Sequence, residues 1–539
     1  MNKQFALSIV VFIGFLNLSY AGALFTPAES QGISSDEQKQ VLQWESTLKP
    51  SERAGRKLIR IDWEQMGRPI EQQEVFTLDL LGTQSLQIQP KKLTYNTESD
   101  FVWEGQVQGD LTGSLVLIHK KDGSIGRLSW FGKSYMLVQL TANLFVLQKL
   151  GLNSEAWACP SSRQDNLWQP KRLGPVTEPQ KNTKDDGTSI DVVFLFTPEA
   201  VTDIKNQTTL NIDPNYVIES AMVYLNDTMV EDNITLKFRA VHYDIVDYAD
   251  SGSFSTDLYN LMNGSSGFLD QVPKIRDRFG ADIVVLAVSQ LDVAGAGTIN
   301  SLPADPNRAF IVMNWSYLFS GQIFAHEMGH VLGLEHDAYT TGSTSTLGGA
   351  YSYGHGYVDT TNKFLTIMSY GNECSAAGVY CNPLQHFSAA PSSGLGYSGL
   401  PIGNDTISNS RQAIINIKQD IARFRNSIDD PGAQNLNEAK GCFIASAAFG
   451  SFLHPKLRVF RSFRDHVLME FGWGRSFVNW YYDHSPAYAV FLQNHEGIRT
   501  LVRWVLLLVA WVIEYLWTVF GGLLLLSLFI LGRRIEILR

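Results

Sequence analysis

Alternation of apolar and polar positions dominates the first third of the chain. Runs such as FVWEGQVQG (101–109), GSLVLIHKKDG (113–123) and SIGRLSWFGKSYMLVQL (124–140) alternate apolar with polar stretches, with Gly and Asp-Gly turns between them. A period of two buries one face of a strand, so residues 24–165 are predicted to form a mainly-β region of hairpins. Residues 166–187 are rich in Pro, Lys, Asp and Thr and show no period, which marks an exposed linker open to proteolysis.

From residue 188 the pattern changes. IDVVFLFTP (190–198) is a continuous apolar run suited to a strand buried on both faces, and NYVIESAMVYLNDTMV (215–230) is spaced like an amphipathic helix. The strand patterns ITLKFRAVHYDIV, ADIVVLAV and AFIVMNW follow, with a helix over GFLDQVPKIRDRFG (267–280) between them, and RQAIINIKQDIARFRN (411–426) closes the region as another helix. Strands alternating with helices predict an α/β (α+β) domain over 188–426, built on a mixed or largely parallel sheet.

Both ends carry long apolar segments. Lys3, the run from Phe5 to Leu16 and the small residues Ala21 and Ala23 have the layout of a secretory signal peptide over 1–23. Residues 427–441 read as a second linker, 442–503 as an aromatic-rich helical region, and 504–531 as a transmembrane helix before the basic tail 532–539. As a helix, 504–531 spans about 42 Å, more than a bilayer core of about 30 Å. Glu514 is best placed at one interface, and Arg533 and Arg534 favour a cytoplasmic tail with the body of the protein outside.

Length and charge narrow the class. A chain of 539 residues exceeds a single core, so a multidomain protein is expected. With 45% hydrophobic residues and a formal charge of -10, it is neither disordered nor broadly basic, which argues against a nucleic-acid partner. Of its four cysteines, Cys374 and Cys381 are near enough to close a small disulfide loop in an oxidising compartment, whereas Cys159 and Cys442 lie in different regions.

The chemistry concentrates in HEMGHVLGLEHD (326–337). On a helix His326 and His330 project from one face, one turn apart, and Glu327 can act as general base for a water activated by a metal. Gly333 lets the chain turn sharply, so that His336 returns as a third ligand. Three imidazoles suit one zinc ion and leave a coordination position for water or substrate. His355 reads as a turn or strand residue rather than a ligand, and His386, His466 and His484 have no partner at metal spacing.

This pattern, HExxHxxGxxH, followed by Met368 in FLTIMSYGNEC, resembles the metzincin zinc peptidases. Asp337 after the third histidine brings the likeness closest to the reprolysin or adamalysin type, and it extends over 188–426 through HFSAAP (386–391) and SNSRQAIIN (408–416). The resemblance implies an endopeptidase acting on protein or peptide substrates, with a cleft beside the sheet edge and Met368 as an apolar floor under the metal. Tyr370 departs from the adamalysin pattern. It stands where astacins and serralysins carry a tyrosine able to bind zinc or the transition state, or else it is a packed turn residue.

A region preceding the catalytic domain resembles a prodomain, and Cys159 is its one cysteine: a thiolate ligand that keeps the proenzyme latent, or an unrelated thiol or a disulfide partner of Cys442. CFIASAAFGS (442–451) resembles the bacterial CFI-box region that precedes a terminal hydrophobic helix. Two readings follow from it: a plain membrane anchor in the cell envelope, or a sorting signal cut by an envelope protease, with Cys442 modified. A rival function is that of a surface adhesion or binding protein using a metzincin-like scaffold, against which Glu327 argues.

Overall fold

The computed structural model describes residues 25–27, 33–46, 56–150 and 187–427, with short gaps, and scattered stretches between 444 and 515. The signal segment, Cys159, nearly all of both linkers, Cys442 and residues 516–539 lie outside the described residues. The chain divides into two compact units at residue 150, with the short stretch 207–210 grouped with the first.

The first unit is a nine-stranded sheet. Its strands are β1 (Phe25–Pro27), β2 (Arg56–Ile61), β3 (Phe76–Asp79), β4 (Ser85–Tyr95), β5 (Phe101–Val107), β6 (Ser114–Lys120), β7 (Gly123–Trp130), β8 (Lys133–Gln139) and β9 (Leu144–Lys149). They are antiparallel in the order β1-β2-β9-β8-β7-β6-β5-β4-β3, and the edge strands β1 and β3 come into contact. The predicted hairpins are β5 to β8, joined by turns such as Phe131–Gly132. Inward residues including Ile88, Trp103, Leu117, Leu128 and Leu137 form one apolar core. The helix α1 (Ser35–Ser46), which the alternation did not suggest, is tied back by a bidentate pair from Arg60 to Glu37 at 2.8 and 2.9 Å.

The second unit holds a five-stranded mixed sheet in the order β11-β10-β12-β14-β13. Strands β10 (Ser189–Phe196), β11 (Lys237–Ile245), β12 (Ile283–Val288) and β14 (Phe310–Asn314) run parallel, while the edge strand β13 (Gly295–Gly297) is antiparallel to β14. β12 is buried at all six residues and β10 at seven of eight, which is why both read as uninterrupted apolar runs. The connections carry helices α2 (Pro198–Gln207), α3 (Pro214–Glu231), α4 (Phe254–Asn263) and α5 (Val272–Arg278). After β14 come α6 (Trp315–Ser320), α7 (Gln322–Val331) and, later, α8 (Ser410–Ile421). A small sheet of β15 (Val358–Asp359), β16 (Phe364–Leu365) and β17 (Asn382–Pro383) lies between α7 and α8 in sequence.

The described residues do not support the transmembrane prediction, and they hold only its beginning. Residues 497–513 are helical and 515 is described, but among the described residues no helix is long and apolar enough to cross a membrane. Most of 504–531 is outside the described residues.

Candidate active site

Helix α7 starts at Gly321 (φ +79) and buries every residue from Ile323 to Val331 against β13, β14 and α3. Its end is closed by bonds from the Gly333 amide to the His330 carbonyl (2.8 Å) and from the Leu334 amide to the Gly329 carbonyl (2.9 Å). Gly333 has φ +78, and a β-carbon there would sit 2.6 Å from that of Ala350, so only glycine makes the turn.

The turn carries His336 back onto α7. Its Nε2 lies 3.0 Å from that of His330 and 3.1 Å from that of His326, and all three rings are buried. His326 Nδ1 donates to the Ile367 carbonyl at 2.7 Å and His330 Nδ1 to the Leu334 carbonyl at 2.9 Å, which points both Nε2 lone pairs at the shared centre. Burial pushes His326 down to about 4 and His330 down to about 3, and it holds His336 well below the usual imidazole range. Neutral rings with converging lone pairs repel unless a cation lies between them. Ligands at about 2.0–2.1 Å from a tetrahedral zinc stand about 3.3 Å apart, close to the spacing seen here. The donor set therefore fits a divalent metal.

Glu327 is buried beside this cluster. Its Oε2 accepts a hydrogen bond from the Gly297 amide at 2.6 Å, so the edge strand β13 orients the carboxylate. β-carbons at Gly295 and Gly297 would stand 3.1 Å from Glu327 Cγ and 2.6 Å from its carbonyl oxygen. The sequence Gly-Ala-Gly thus lets helix and strand approach. Nothing in hydrophobic patterning announces β13, which is why it went unpredicted.

Met368 is fully buried beneath α7 against Gly329. Tyr370, two residues on, has its ring centre 4.5 Å from that of His336 and 5.5 Å from that of His326. Its amide donates to Asp337 Oδ2 at 2.9 Å, while Asp337 Oδ1 caps the following turn through the Thr340 amide at 2.8 Å. Asp337 thereby joins the third histidine to the Met368 turn. Cys374 and Cys381 form a disulfide just beyond it. Gln322, Ile323 and Tyr370 line a pocket together with His326, Glu327 and Gly295.

His386 belongs to another cluster. Its Nδ1 pairs at 2.6 Å with Asp232, whose carboxyl burial pushes up and His386 counteracts, and Asp232 also accepts from the Phe387 amide at 2.8 Å. The His386 carbonyl receives the Ile367 amide at 2.9 Å, so this pair supports the peptide that orients His326. Sequence reasoning overlooked it because Asp232 lies at the far end of α3, 154 residues away.

Residues 217–337 match the family model described as Metallo-peptidase family M12B Reprolysin-like. A peptidyl-Asp metalloendopeptidase of Xanthomonas campestris is 28% identical over 321 residues, covering 59% of this chain and 71% of the relative. One from Stenotrophomonas maltophilia is 26% identical over 320 residues, covering 58% and 68%. Among solved structures, metalloproteinase-II from Bacteroides fragilis aligns at a TM-score of 0.29 and 12% identity over 52% of this chain and 85% of that one, too slight a likeness to argue from. The family match ends at Asp337, so it covers the helix and turn that build the ligand cluster, and this part of the chain is a reprolysin-like metallopeptidase domain.

Proposed function

We propose that the protein is a zinc endopeptidase in which Glu327 moves the protons and a substrate strand lies beside β13. The observation that supports this reading is the hydrogen bond from the Gly297 amide to Glu327 Oε2 at 2.6 Å, which orients a buried carboxylate beside three converging imidazoles. Zinc held by His326, His330 and His336 would polarise the scissile carbonyl and acidify water. Glu327 takes a proton from the attacking water and delivers it to the departing amine. Tyr370, whose ring packs beside His326 and His336, donates its phenol in this reading to the oxygen that gains charge. A surface-binding scaffold would have no use for this base, so the adhesion reading is not favoured.

The relatives' name carries a substrate suggestion. We infer that this chain also prefers aspartate at one side of the scissile bond and that Gln322, in the pocket wall, receives the acidic side chain through its amide N–H groups. α7 has no acidic residue in its first turn to compete for that position.

Export through residues 1–23, latency through Cys159 and anchoring through 504–531 complete the proposal and rest on sequence pattern alone. The decisive experiment is digestion of a protein substrate by the purified, matured enzyme, with and without a zinc chelator, beside Glu327→Ala. Loss of cleavage in both is expected. Chelator-insensitive cleavage, or full activity of the variant, overturns the proposal.

A further inference from the structure

His326 and His330 are oriented by bonds from their own Nδ1 atoms, whereas among the described residues His336 makes no bond of that kind. The third ligand must take its position from its main chain. One brace is Asp337, already described. The other is His355, which is fully buried and whose Nδ1 lies 2.7 Å from the His336 carbonyl oxygen. Because a carbonyl only accepts, Nδ1 carries the proton and donates it.

His355 is itself held from several sides. Its amide donates to the Ile407 carbonyl at 3.2 Å, and its carbonyl accepts the hydroxyls of Ser388 (2.6 Å) and Ser410 (3.0 Å). The Glu335 amide donates to the Gly354 carbonyl at 3.0 Å, which ties the residue before His355 to the residue before His336. At Gly356 a β-carbon would meet the Met368 carbonyl carbon at 2.7 Å, so this segment also presses on the Met368 turn. Ser388 belongs to HFSAAP and Ser410 to SNSRQAIIN, so two later stretches converge on one residue.

We propose that His355 is a positioning residue for the metal: Ser388 and Ser410 hold its main-chain carbonyl, and its Nδ1–H fixes the peptide that carries His336. The inference rests on the metallopeptidase reading, since it needs a metal for His336 to bind. Its consequence is a geometric one, because a ring nitrogen that wanders by a few tenths of an ångström no longer completes the ligand triangle. Outer partners of metal ligands typically change affinity by about 10–100-fold when removed.

The test uses the amide side chains to separate the two ring nitrogens. Asn places an N–H near the position of Nδ1, whereas Gln places one near Nε2. Zinc affinity of the purified enzyme is measured by competition with a chromophoric chelator, together with thermal unfolding of the metal-free forms. His355→Asn is expected to bind within about threefold of the native protein, and His355→Gln and His355→Phe to bind about 10–100-fold more weakly. If His355→Phe does not fold, the Asn and Gln variants carry the comparison. Equal zinc affinity in the Asn and Gln variants overturns the positioning role. Failure of the native protein to bind zinc at all overturns the metallopeptidase reading instead, so the two failures are distinct.

Discussion

Gly329 and Met368 are packed so closely that a β-carbon on the glycine would collide with the methionine sulfur and stand 3.2 Å from Phe387 Cε1. Gly329 lies between the first two histidines on α7, so any shift that relieves the collision moves the ligands. Gly329→Ala is expected to lower stability by about 1–3 kcal/mol, the usual cost of overpacking, and to weaken zinc retention. Gly371→Ala, where a β-carbon meets nothing within 4 Å, should change stability by less than about 0.5 kcal/mol. Thermal unfolding and bound-zinc content of both variants check the contrast.

Tyr370→Phe keeps the ring beside His326 and His336 and removes only the hydroxyl. A phenol that serves the developing oxyanion should cost about 100-fold in kcat when lost, with KM little changed. Steady-state kinetics on a quenched peptide measures the split. An unchanged kcat would return Tyr370 to a packing role in the turn.

Gln322 supplies the test of the aspartate preference. Peptides differing only in Asp, Asn or Leu beside the scissile bond should be cleaved most efficiently with Asp, and Gln322→Leu should reduce that advantage about tenfold or more. A variant that keeps the same ranking of kcat/KM would remove Gln322 from substrate selection while leaving the peptidase reading intact.

His242 gives a pH prediction away from the ligands. It is buried on β11 and stacked 3.7 Å from Phe279, and burial, reinforced by Arg278, pushes it down from 6.5 to about 3. The unfolded chain binds a proton below about pH 6.5 that the folded one refuses until about pH 3, so stability falls as pH drops through that window. The loss approaches about 1.4 kcal/mol per pH unit at most. His242→Phe should lack this component, so its stability relative to the native protein should improve between pH 7 and pH 5 in denaturant titrations. A constant difference would contradict it.

Legibility of the sequence followed the range of each interaction. The ligand set was readable because His326, His330 and His336 lie within eleven residues on one helix and one turn, where spacing dictates geometry. β10 and β12 were readable because strands buried on both faces leave unbroken apolar runs. The Gly295–Gly297 strand was not, since its role depends on absent side chains and a neighbour thirty residues away. His355 appeared only as a turn or strand residue, because its partners are the His336 main chain and two serines brought in from later segments.

The braces around the three imidazoles also bear on how the protein is made. A ribosome that has released residue 337 has delivered every ligand, yet Ile367, His355, Ser388 and Ser410 are still to be synthesised. A chain that stops short of residue 410 therefore carries all three imidazoles but lacks part of the bracing that orients them.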